Sequence, residues 1–290
     1  MPLPASRQGQ IYCYVEALSA GHLTLPEHLF ISPCPPNSRK TVPSLSFLIT
    51  HPTSNLLFDL GLRNPQTAYA SSIRTHIETR QPLTTTPDVI ESLASLSLAP
   101  KDIATIILSH IHWDHIGTPS QFPAPSQFVV GPGALALLGT GGGTTGGHSH
   151  FEPGLLPADR TLEITEFPED IGVSNDTLKA KDWFGDGSLY VVDAPGHLQG
   201  HINLLVRTEG GWVYLAGDAA HDRRLLMGVK EVAVWENGGC IHSDKEMAVK
   251  TIAKIRKLRD LGVEVILAHD KEWEEQNRER IRPEWILAHE

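Results

Sequence analysis

The chain has 290 residues, 40% of them apolar, and a formal net charge of −10 with histidine counted neutral. At about 150 residues per domain the length permits one large or two ordinary domains, and the apolar share is enough for a substantial core. An acidic chain with no stripe of Lys and Arg is badly built for neutralising phosphates, which argues against DNA or RNA as substrate.

Cys13, Cys34 and Cys240 are scattered, odd in number and form no CxxC pair, so a disulfide framework is not expected and a reducing interior is. The start, Met1 to Arg7, has no apolar h-region, and no run of 18 apolar residues occurs. These features predict a cytoplasmic protein with no membrane partner. The expected organisation is one domain over 1–290, with a partly irregular N-terminal segment over 1–44.

In chain order, Ile11–Val15 reads as an early strand. The proline-rich stretch Ser32–Ser38 reads as a surface connection, with a cover over the active site as the alternative. Leu45–Thr50 and Leu56–Phe58 form the arms of a hairpin, with turn chemistry at Pro52–Asn55. Asp59 ends the second arm. It is either a turn residue or a carboxylate that orients a metal-bound histidine. Thr86-Pro87 reads as a helix entry, with Thr86 as N-cap and Ile90, Leu93 and Leu96 or Leu98 as the apolar stripe.

The apolar run Ile103–Leu108 reads as a buried strand. Directly after it stands Ser109-His110-Ile111-His112-Trp113-Asp114-His115, with four metal-capable side chains in six positions. Alternate residues of an extended segment share a face, so His110, His112 and Asp114 can point the same way, while His115 approaches after the turn. Imidazole and carboxylate are ligands that Zn²⁺ accepts at about 2.0–2.2 Å. Trp113 is either a pocket wall or a core aromatic.

Phe128–Val130 reads as a further strand. Gly139–Gly147 reads as a flexible loop without the Lys or spacing of a phosphate cradle. His148 and His150 close it and are expected in exposed loop, with a place beside the substrate as the alternative. Three strands follow, Leu189–Val192, Ile202–Val206 and Trp212–Ala216, the first running into Asp193-Ala194-Pro195-Gly196-His197 and the last into Gly217-Asp218. Ser243-x-x-Glu246 reads as a capping box opening a helix whose core face is Ala248, Ile252, Ile255 and Leu258, stopped at Gly262. Val263–Leu267 makes a strand ending at His269-Asp270. Asp270 is expected beside a ligand or at the surface, and the tail Glu272–Glu290 as a surface helix.

Seven residues at strand ends therefore gather: His110, His112, Asp114, His115, His197, Asp218 and His269. Their order and spacing resemble the metallo-β-lactamase superfamily, with its HxHxDH motif, a later His in a PGH segment, an Asp in a GD segment and a final His. The likeness covers about residues 45–270. It implies an α/β fold, the αβ/βα four-layer sandwich of two mixed sheets flanked by helices, with a dinuclear site at one edge. Position by position, it implies that His110, His112 and His197 hold a first metal and Asp114, His115 and His269 a second, with Asp218 bridging. Zinc is the first expectation for both, with manganese, cobalt or iron as alternatives.

The implied chemistry is hydrolysis of a small molecule by a hydroxide held between the two cations, with Asp114 and His221 as catalytic residues. Phe47–Ile49, Phe58–Gly61 and Gly217–Ala220 are similar to the quorum-quenching lactonase branch, which implies a cyclic ester as substrate. Where that branch carries a Tyr three residues after the bridging Asp, this chain has His221, which keeps open a small γ-lactam or a cyclic carbamate of the benzoxazolinone kind. The same metals also suit a thioesterase acting on glutathione or acyl-carrier esters, and iron would suit redox chemistry. A homodimer is the oligomeric expectation. His201 is expected to be structural.

Overall fold

A computed structural model describes residues 3–140, 151–173 and 176–283. Two mixed sheets face one another. The first has seven strands in the spatial order Ile281–Arg282, Tyr14–Pro26, Arg39–His51, Ser54–Phe58, Thr105–Ile107, Gln127–Val130 and Thr161–Glu163. Its hairpins pair antiparallel, and the strands from Ser54–Phe58 to Thr161–Glu163 pair in parallel. The second has six strands, in the order Glu264–Ile266, Gly211–Leu215, Ile202–Thr208, Leu189–Asp193, Asp176–Asp182 and Glu169–Val173. Only Glu264–Ile266 joins it in parallel.

Alternation along the strands explains the layers, because successive side chains point to opposite faces. Leu45, Phe47, Ile49, Phe58 and Ile107 of the first sheet meet Val191, Leu204, Val206 and Leu215 of the second in one buried cluster. The other face of the first sheet, with Leu48, Leu57, Ile106 and Phe128, is covered by the helix Val89–Ser95 through Val89 and Leu93. The other face of the second, with Tyr190, Val192, Tyr214 and Val265, is covered by Ile252, Ile255 and Leu258 of the helix Lys245–Asp260. Helix, sheet, sheet and helix stack as expected for an αβ/βα sandwich.

Several local expectations need correction. The early strand expected at Ile11–Val15 instead runs over Tyr14–Pro26, 13 residues paired along Arg39–His51. The helix near residue 90 starts later than Thr86-Pro87. Asp88 is its N-cap, accepting from the amides of Ile90 and Glu91, and Glu91 reaches back to the Asp88 amide. The carboxylate pair completes a capping box that a threonine two residues earlier cannot reach. Likewise Asp244, rather than Ser243, caps the long helix through the Met247 amide. The tail is not one helix: Lys271–Gln276 is helical, and Ile281–Arg282 then pairs in parallel with Ala17 and Leu18. Gly139–Gly147, His148 and His150 fall mostly or wholly outside the described residues, as does the end of the tail. Among the described residues no helix is long and apolar enough to cross a membrane.

Candidate metal centre

The central parallel strand Thr105–Ile107 delivers Ser109–His115 to one edge of the sandwich, where both sheets end. From the second sheet, Leu189–Asp193 runs into His197, Gly211–Leu215 into Asp218 and Glu264–Ile266 into His269. Two glycines allow this convergence. Gly196 has φ +130°, and a Cβ there would lie 2.3 Å from the Ala248 amide nitrogen; Gly217 has φ +47°, and a Cβ would lie 2.9 Å from that of Ser109. Both are conformations that L side chains avoid.

All seven sequence-predicted residues meet there in two clusters. His112 Nδ1 lies 2.8 Å from His110 Nε2 and 3.0 Å from His197 Nε2. Asp114, His115 and His269 form the other group, with His269 Nε2 3.6 Å from Asp114 Oδ2. Asp218 faces both. Its Oδ1 is 3.4 Å from His115 Nε2 and 3.4 Å from His269 Nε2, while its Oδ2 is 3.8 Å from His110 Nε2 and 3.7 Å from His197 Nε2.

The far nitrogens of the rings are tied back, which aims the near ones inward. His115 Nδ1 pairs with Asp59 Oδ2 at 2.9 Å, and His269 Nδ1 donates to the Pro43 carbonyl at 2.8 Å. His110 Nδ1 sits 3.0 Å from Ser109 Oγ, and His197 Nδ1 lies 3.3 Å from His242 Nδ1. Asp59 is more than a turn residue. Held at φ +62°, it also accepts from the Ser109 amide at 2.6 Å and the Ser109 hydroxyl at 2.7 Å. His201 Nδ1 donates to the Ala194 carbonyl, and its Nε2 accepts the Asp218 amide at 3.1 Å, so it holds the backbone of Asp218.

Electrostatics distinguishes the two clusters. Burial, then the neighbouring charges of His115 and His112, holds the His110 pKa well below its ordinary value, and burial with His221 and His110 does the same to His197. Burial also disfavours charge on His115, but Asp218 and Asp59 outweigh it and hold that pKa well above normal; Asp218 likewise raises His269. Burial works against ionisation of Asp218, yet the surrounding histidines His269, His115 and His221 keep its pKa well below the usual carboxylate range. Among the described residues, the buried His115 Nε2 and Asp218 Oδ1 have no hydrogen-bond partner. Proteins seldom bury polar atoms unsatisfied, and imidazole with carboxylate is a donor set suited to divalent transition metals. The residues therefore fit metal binding.

The clusters open into a cavity of about 400 Å³, walled by Leu25, Phe30, Trp113, Trp235 and Ile241. Trp113 is both wall and core: it lines this space and packs edge-on against Tyr69. His221 also lines it, with Nε2 3.1 Å from Asp218 Oδ2, its ring against Phe30 and, among the described residues, no partner for Nδ1. Asp270 does not join the cluster and is not at the surface. It is buried, caps the helix Lys271–Gln276 through the Trp273 amide and pairs with Arg223. Ser32–Ser38 does not line the cavity. Sequence reasoning missed His242, Phe30, Trp235 and Arg80. None lies in a motif, and each reaches the site only through tertiary packing.

Buried imidazole and carboxylate groups that could hold metal ions thus stand at one edge of an αβ/βα sandwich. Residues 39–269 match the metallo-β-lactamase superfamily, and the chain belongs to it. It is 32% identical over 274 residues to the cytochrome P450 monooxygenase mpaDE of Penicillium roqueforti, a match covering 86% of this chain and 32% of that one. This chain thus spans about a third of the length of that relative. It is 32% identical over 178 residues to the γ-lactamase MBL2 of Gibberella moniliformis, covering 57% of this chain and 70% of the relative. Among solved structures, an N-acyl homoserine lactone hydrolase with N-hexanoyl-L-homoserine at its metal centre superposes with a TM-score of 0.68 at 19% identity, over 92% of this chain and 96% of that one. At that identity the likeness is one of fold.

Proposed function

We propose that this chain opens a small cyclic ester by hydrolysis with two divalent cations. His110, His112 and His197 would hold one, Asp114, His115 and His269 the other, and Asp218 would serve both. The observation that carries this reading is Asp218, whose two carboxylate oxygens each face one of the clusters. When bound, such a pair of cations supplies Lewis acidity toward a carbonyl and a water acidic enough to react near neutral pH.

The protein's own part is to position and to move protons. Asp59, Pro43 and Ser109 fix the ring orientations described above, so the donor set is organised before any ligand arrives. Asp114 and Asp218 both line the cavity; Asp114, beside His112 and His269, would orient the water and receive its proton. His221 lines the same cavity, and its Nδ1, unengaged among the described residues, would give a proton to the departing oxygen. The apolar walls exclude bulk water and hold the body of the substrate.

A second reading, a small γ-lactam or cyclic carbamate, is favoured by the γ-lactamase relative and by His221, since a departing nitrogen needs a proton more than a departing oxygen does. Purified protein loaded with zinc, manganese or cobalt is to be screened against lactones, lactams and acyl-glutathione thioesters. Proton release on lactones supports the first reading and turnover confined to lactams the second. Thiol release alone, or no turnover at all, overturns both.

A further inference from the structure

Arg80 is the cation that the hydrolytic reading does not use. It ends the short turn Glu78–Arg80, is only 8% exposed, and lines the same cavity as His112, Asp114 and His269. A guanidinium carries five N–H donors. Among the described residues, its side chain makes one hydrogen bond, from Nη1 to the Thr79 hydroxyl at 2.9 Å, and no carboxylate lies within ion-pair distance. A buried cation left this way is costly unless a charged partner arrives. Of the acids, Asp114 reaches it electrostatically, and that carboxylate is already engaged by His115 and His269.

The segment that carries Arg80 is held firmly. Arg39 donates to the carbonyls on either side of it, to Thr79 at 3.0 Å and Gln81 at 2.9 Å. The Thr24 hydroxyl donates to the Pro82 carbonyl, and His22 and Thr84 exchange backbone hydrogen bonds. The guanidinium is thus fixed in the cavity wall by contacts that leave most of its donors unused. In a protein of net charge −10, this is a deliberate placement of positive charge.

We propose that Arg80 is a specificity residue that receives a carboxylate of the substrate, so that the site takes an apolar ring compound bearing an acid group. The forked guanidinium matches a carboxylate in two parallel hydrogen bonds, and the aromatic walls at Phe30, Trp113 and Trp235 suit the ring. The reacting carbonyl then faces the histidines while the acid is held at Arg80. This inference rests on the ring-opening reading for its substrate class, but binding alone can test it.

Isothermal titration of 2-naphthoate and 2-naphthamide into metal-loaded wild type, R80Q and R80K reads Arg80 without turnover. The expected result is that R80Q loses on the order of 30-fold more affinity for naphthoate than for naphthamide, with partial recovery in R80K. Equal naphthoate affinity in wild type and R80Q would place the carboxylate elsewhere and overturn the proposal. Equal losses of both probes in R80Q and R80K would make Arg80 structural and overturn it too. In turnover, γ-(4-carboxyphenyl)-γ-butyrolactone should be preferred over its carboxamide in wild type, with the preference lost in R80Q. If no ring is opened while naphthoate binding still depends on Arg80, the ring-opening reading fails and this one stands. If lactones open with no preference for the acid, the reverse holds.

Discussion

The space between the two sheets and the edge where they end are both almost completely buried, yet they are built on opposite rules. Between the sheets, Phe47, Phe58, Val191, Leu204 and Leu215 fill volume, and any apolar group of similar size would serve nearly as well. At the edge, His110, His115, His197, Asp218 and His269 bury polar atoms at separations of 3 to 4 Å, where each atom must be of one kind and face one way. The core therefore specifies shape, and the edge specifies chemistry. Substitutions in the two regions should separate stability from metal binding.

The largest effect is expected at the residue that joins both clusters. Asp218→Asn should lower hydrolysis by about 10³-fold or more, because a carboxylate facing both clusters is replaced by a neutral amide, while the far-ultraviolet circular dichroism stays that of the folded protein. Retained activity would show that Asp218 does not serve the site. Leu204→Ala should do the converse. It should cost about 2–5 kcal/mol in urea unfolding, with the metal content per chain unchanged. A loss of metal in that variant would mean that core and edge are not separable.

A smaller effect is expected one step back from the cluster. Asp59→Asn keeps a side chain that tolerates φ +62° but removes the charge facing His115, and metal affinity measured by competition with a chelator should fall about 10–100-fold. No change would make Asp59 a turn residue after all. The smallest effect is expected at the surface, at the half-exposed pair Arg280–Glu264, 2.6 Å apart. Arg280→Ala should change stability by no more than about 0.5 kcal/mol and leave metal content and turnover alone.

The contrast also explains what could be read in advance. The edge was legible because its ligands sit in sequence where strands stop, and His110-x-His112-x-Asp114-His115 is dense enough to identify alone. The layers followed from alternation and from the stripe Ala248, Ile252, Ile255 and Leu258. Helix starts were less legible, since Ser243 and Asp244, or Thr86 and Asp88, offer capping side chains within two residues and only the folded backbone selects between them. The long strand Tyr14–Pro26 was hidden because His22, Thr24 and Pro26 interrupt its apolar pattern; its partner Arg39–His51 supplies the hydrogen bonds. Arg80, Trp235 and His242 were invisible because the cavity is assembled from loops that meet only after folding.

The most direct test is the number of divalent cations held per chain by the dialysed protein, measured by plasma mass spectrometry on wild type and Asp218→Asn. Two ions per chain in wild type, with loss from both clusters in the variant, is the predicted result. A wild-type protein that hydrolyses its substrate with one ion or none, or a variant that still holds two, would contradict a centre organised around Asp218.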